Sequence, residues 1–116
     1  MWKIKAAGIY IIECGEYYYI GMSVDIFSRW GQHYNDLKMK KHSSPKLQEM
    51  FDEKGLTGLT FRVLEYISIT EWKKVHQIKG KEEKSKFRTY LLKKEKEWMK
   101  MYSVTFSLNN QNKSFS

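Results

Sequence analysis

The residue whose position poses the sharpest chemical question is Glu95. Between Phe87 and Tyr102, the residues Phe87, Leu91, Trp98 and Tyr102 lie along one stripe at helical spacing. Glu95 falls on the same stripe, four after Leu91 and three before Trp98. A carboxylate among core-facing aromatics is costly unless it is paired or binds a metal. Either Glu95 is a metal ligand, or it forms a structural ion pair with Arg29 or Arg88. Glu97 shares a different face with Lys93 and Lys100, where helical ion pairing accounts for it. Arg29 and His33 are four apart, so on a helix they form one row that could reach a phosphate or be only a solvated polar face. Tyr10 and Tyr19 complete the set, as active groups or as ordinary strand aromatics.

These side chains need elements to hold them. Ile9-Tyr10-Ile11-Ile12 and Tyr17-Tyr18-Tyr19-Ile20 are β-branched and aromatic runs around the turn-like stretch Glu13 to Glu16, which predicts a hairpin. A two-residue loop at Cys14-Gly15 sets Tyr10 directly opposite Tyr19, with both rings on one face; a three-residue loop would shift that register. Ser23 is the expected N-cap of the next helix, where Ile26, Trp30, Tyr34 and Leu37 face the core and Arg29 and His33 form a second row. Ser44-Pro45 opens another helix with the stripe Leu47, Met50 and Phe51, closed by Gly55. Leu59 to Ile67 reads as a third strand, and Thr70 as the cap of a short helix. The highly charged passage Lys79 to Lys86 is either a loop or the solvated start of the last helix.

The bulk properties narrow the class. A chain of 116 residues makes one domain, and 41% hydrophobic residues suit a folded globule rather than a disordered chain. The net charge of +8 points to a polyanionic partner, nucleic acid first and an anionic membrane surface second. A single cysteine, Cys14, excludes an internal disulfide and a thiolate zinc site. No stretch approaches the roughly 20 apolar residues that span a bilayer, so a soluble intracellular protein without a membrane partner is expected.

Gly8-Ile9-Tyr10 followed by Tyr19-Ile20-Gly21 is the pair of tripeptides that names the GIY-YIG endonuclease family, and the chain resembles that family. Gly21 to Trp30 is similar to the family's turn into a helix carrying an arginine, here Arg29. His33, His42-Ser43-Ser44 and Lys46-Leu47 resemble the nuclease domain of phage intron-encoded homing endonucleases, and Glu95 to Trp98 resembles the helix with the metal-binding glutamate. The resemblance implies an α/β fold, a small three-stranded antiparallel sheet flanked by helices, as a single domain over 1–116. It implies a DNA endonuclease with Tyr10 as general base, Tyr19, Arg29, His33 and Glu95 as further catalytic residues, and Glu95 as metal ligand. Gly21, His42 and Asn109 are implied on the substrate side. For the last, counting from Trp98 leaves Ser107, Asn109 and Asn110 open, and Asn109 is chosen.

The implied cofactor is Mg2+, or Mn2+, because a largely hydrated hard cation can be held by one carboxylate. A free tyrosine with a pKa near about 10 is a poor base, so Arg29, with His33 or the metal, would have to favour loss of the Tyr10 proton. Relatives that cut at chosen sites append a DNA-reading module, whereas this chain ends soon after the nuclease region. Specificity is therefore expected to be weak, or supplied by a partner or a homo-oligomer. The implied setting is intracellular and cytoplasmic, for a phage-encoded protein in a bacterial host. The rival readings are a non-catalytic nucleic-acid-binding module on the same fold and a structure-specific repair nuclease acting on branched DNA.

Overall fold

The structure, a computed structural model, describes residues 6–15, 17–77, 83–102 and 106–107. Its centre is the hairpin of β1 (Gly8–Cys14) and β2 (Tyr17–Ser23). The turn lies one residue later than the sequence suggests. Gly15, at φ 62°, turns the chain, and the buried Cys14 stays in β1 opposite Tyr17. Tyr10 therefore faces Gly21, not Tyr19, and Tyr19 faces Ile12. The slip is two residues, so Tyr10 and Tyr19 still share a face, as the period of a strand requires.

β3 (Thr60–Tyr66) adds antiparallel to β1, with a register shift between Ile9 and Tyr10. At the start of this pairing Gly8 has φ 152°, and a Cβ there would collide with the Glu65 carbonyl oxygen. Only glycine lets the two backbones approach so closely. The two-residue β4 (Phe106–Ser107) lies parallel to β2 at Tyr17 and Tyr18, giving the order β3-β1-β2-β4. The antiparallel three-strand sheet is as the sequence implies, with β4 as an addition. Residues 21–23 of β2 have no strand on that side among the described residues.

Helices cover both faces. On the Tyr10 face, α1 (Ile26–Lys38) and α2 (Pro45–Lys54) bury Ile26, Leu37 and Leu47 against Tyr10 and Ile12. On the other face, α4 (Glu83–Met101) packs Trp98 and Met99 onto Ile9, Ile11 and Ile20. α3 (Ile69–His76) sets Trp72 against Phe87 and Leu91. Burying each of these large apolar side chains contributes about 1.5–3 kcal/mol.

Two caps differ from expectation. β2 runs through Ser23, so Asp25 caps α1 by accepting from the Ser28 amide at 3.3 Å, and Ser23 instead accepts from the Asp25 amide at 2.9 Å. α3 begins at Ile69 under Ser68, not under Thr70. α2 begins and ends as its sequence indicates, with Ser44 accepting from the Leu47 amide and Gly55 at φ 69°. Of the charged passage Lys79 to Lys86, residues 79–82 lie outside the described residues, and α4 starts at Glu83. Among the described residues no helix is long and apolar enough to cross a membrane.

Candidate active site

Tyr10 projects across the hairpin over Gly21, its partner in the pairing. A Cβ at position 21 would land on the Tyr10 hydroxyl, so this glycine is what gives the ring room to lie down. The Tyr10 hydroxyl sits 2.6 Å from Nε2 of His33. His33 is itself on the buried stripe of α1, with Ile26 and Leu37, rather than on the adjacent polar row expected for it. Its Nδ1 lies 2.6 Å from Nε2 of His42, whose Nδ1 accepts from the Ser44 amide at 2.9 Å. The three rings and the amide make one continuous hydrogen-bonded row of buried groups, with Tyr10 at the end that meets the cleft.

α4 packs on the opposite face of the sheet, yet Glu95 reaches the same site. It does so at the end of β2, which has no neighbouring strand on that side among the described residues, and its carboxylate accepts from the Met22 amide. Trp98, three residues on, fixes the rotation of the helix by donating from Nε1 to Glu65 at 2.9 Å. Leu91, one turn before, is fully buried. Glu95 forms no ion pair among the described residues, so the structural pairing with Arg29 or Arg88 is not made. Glu97 does pair, but with Lys94 at 3.4 Å rather than with Lys93 or Lys100.

A cavity of ≈ 350 Å³ results, lined by Tyr10, Tyr19, Gly21, Arg29, Arg88 and Glu95 among others. Arg88 joins the lining from a position seven before Glu95 on the same helix, a spacing that is its signal in the sequence. His33 stands behind Tyr10. His42, expected on the substrate side, stands behind His33 and is not part of the lining. Asn109 lies outside the described residues, as does Asn110, and nothing is described of the Ser107 side chain.

Burial dominates the electrostatics. It raises the pKa of Tyr10, helped by Tyr19 and Glu95 and opposed by Arg29. Tyr19 is raised by burial as well, again against Arg29. His33 is pushed down to about 3 by burial, with Arg29 and His42 adding to it, and His42 is lowered chiefly by burial. Glu95 is raised by burial, against the pull of Lys96 and the Met22 amide. The sequence-based expectation that Arg29 would favour loss of the Tyr10 proton thus meets a larger opposing effect: the protein alone keeps Tyr10 protonated.

No group of three or more His, Cys, Asp or Glu side chains gathers as a metal site among the described residues. His33 and His42 are spent on each other and on Tyr10, which leaves Glu95 as the carboxylate in the cleft. That donor set suits a hard cation keeping most of its water and does not suit zinc, which takes several nitrogen or sulfur ligands.

A family model described as the GIY-YIG catalytic domain matches residues 6–109. The chain belongs to the GIY-YIG family. The match takes in every described element of this GIY-YIG domain and spans the positions of all the candidate site residues, Asn109 included. The domain is similar in structure to the catalytic domain of homing endonuclease I-TevI, with 26% identity and a TM-score of 0.62 over 84% of this chain and 88% of that one. A mutant of the catalytic domain of intron endonuclease I-TevI gives 25% identity and a TM-score of 0.64 over 84% of each chain. No curated protein matches it.

Proposed function

We propose that this GIY-YIG domain is a metal-dependent DNA endonuclease that hydrolyses phosphodiester bonds with little sequence preference of its own. The observation that carries the reading is the meeting of Glu95 with Tyr10, Tyr19 and Arg29 in one cleft, where the carboxylate forms no ion pair among the described residues. A desolvated carboxylate left in that state is suited to a cation arriving with its own waters. Mg2+, or Mn2+ in its place, would be held by Glu95 and would supply Lewis-acid stabilisation of charge on the phosphate and leaving oxygen.

The protein's own groups divide the remaining work. Arg29 holds the scissile phosphate through charge-assisted hydrogen bonds, with Arg88 at the mouth adding positive charge. Tyr10, held rigidly by Gly21 beneath it and His33 behind it, takes the proton of the attacking water on its hydroxyl oxygen. That role needs Tyr10 to be ionised first, which burial opposes and positive charge in the cleft favours. Tyr19 lies against the same charge field and fixes the phosphate's orientation. The net charge of +8 supports binding through backbone phosphates, with specificity left to a partner or an oligomer.

The test is cleavage of supercoiled, linear and branched DNA with Mg2+, Mn2+ or a chelator. Cutting of all forms with metal and none with chelator is expected. Cutting confined to branched DNA would favour a structure-specific repair nuclease, and binding without cutting would leave a nucleic-acid-binding module.

A further inference from the structure

The row Ser44–His42–His33–Tyr10 has a direction, and the direction follows from its first bond. The Ser44 amide can only donate, and it donates to His42 Nδ1 at 2.9 Å. That nitrogen therefore carries no proton, and neutral His42 must hold its proton on Nε2. Nε2 of His42 lies 2.6 Å from His33 Nδ1, so the latter accepts, and the proton of His33 is on Nε2. Nε2 of His33 lies 2.6 Å from the Tyr10 hydroxyl oxygen. We infer that every hydrogen bond in the row points at the Tyr10 oxygen, that His42 and the Ser44 amide are positioning groups fixing the tautomer of His33, and that the Tyr10 proton is turned out into the cleft.

The opposite direction fails on proton count. If Tyr10 donated to His33 Nε2, His33 would donate from Nδ1 to His42 Nε2. His42 would then accept on both nitrogens and carry no proton, an imidazolate with no cation bound to it. The lowered pKa values of both histidines agree with two neutral rings, and the charge of Arg29 disfavours a cation at either, against Asp36 at His42. Tyr10 thus loses its proton by way of the cleft, never through His33, and the row stabilises the resulting oxygen anion with a fixed donor. The Ser44 side chain caps α2 at the same time, so the start of that helix and the direction of the row are set by one residue.

The tautomers do not depend on the endonuclease reading; their consequence for cleavage rests on it. The experiment is 15N NMR of the imidazoles in the full chain, with His42→Leu and His42→Gln beside the wild type. Wild-type His33 and His42 should each show a protonated Nε2 and a bare Nδ1. Leucine cannot donate, so His33 should become a mixture of tautomers and DNA cleavage should fall about 10–100-fold, on the scale seen for outer partners that orient metal-bound histidines. Glutamine can donate from nearly the same point, and should restore both the single tautomer and most of the cleavage. Thermal unfolding of each variant separates misfolding from misorientation. A proton on His33 Nδ1 in the wild type overturns the inference, whether or not any variant folds. So does a glutamine variant with the tautomer restored that cuts no better than the leucine variant. A wild type with the inferred tautomers that never cuts DNA would leave the row standing and remove the endonuclease reading.

Discussion

The two walls of the cleft are built in opposite ways. On the Tyr10 wall the polar atoms of Tyr10, His33 and His42 are buried and bonded in one row. On the Glu95 wall a half-buried carboxylate has one backbone amide and no ion pair among the described residues. A satisfied network is rigid and loses little by being dry, while an incompletely satisfied charge is destabilising wherever water is excluded. The first wall is finished in the protein alone; the second is left for something to complete it. That asymmetry is what a site needs if it must hold one group in place and receive another.

A large loss is expected from a single methyl group added on the finished wall. Gly21→Ala places a methyl group on the Tyr10 hydroxyl and must unseat it from His33. Cleavage should fall about 10²-fold, the scale for displacing a reacting group by roughly 1 Å. Overpacking should lower stability by about 1–3 kcal/mol, read in denaturant titrations. An alanine variant with wild-type rate and stability would show that the Tyr10 ring is not held as described.

The opposite sign is expected on the other wall. The pKa of Glu95 is raised in the folded state, by burial first. Between its unfolded and folded values the native protein binds more protons than the unfolded chain. The associated stability is complete below the unfolded value, about 4.3, and is lost as pH rises through the folded one. Glu95→Gln should therefore unfold at a higher temperature than the wild type at pH 7 without metal, with the gap closing as the solution is acidified. A glutamine variant less stable at pH 7 would mean that the carboxylate is a structural group. The smallest effect belongs to Glu97, whose exposed pair with Lys94 contributes roughly 0.2–0.5 kcal/mol. Glu97→Ala should leave cleavage at the wild-type rate.

Much of the site was legible because strand and helix periods are robust to small errors. The hairpin register was two residues off, and Tyr10 and Tyr19 still fell on one face. Glu95 was separated from Glu97 by its stripe with Leu91 and Trp98, and the structure turns it into the cleft. The donor row was hidden for two physical reasons. Its origin is a backbone amide, at Ser44, which has no letter in a sequence, and its middle is a histidine on an apolar helix stripe. Polarity suggested that His33 was a surface partner of Arg29; the hydrogen bonds to Tyr10 and His42 are what allow it to be buried. The approach of Glu95 to β2 was equally hidden, since no spacing in the sequence shows its carboxylate meeting the Met22 amide.

The most direct test of the account compares Glu95→Ala with the wild type for DNA binding and for Mg2+-dependent cleavage of supercoiled DNA, after both are shown to be folded. If the open wall receives the metal, the variant should bind DNA at least as tightly, because a negative charge facing phosphate is gone, and its cleavage should drop by about 10³-fold or more. A folded Glu95→Ala protein that cuts DNA at the wild-type rate would contradict the account.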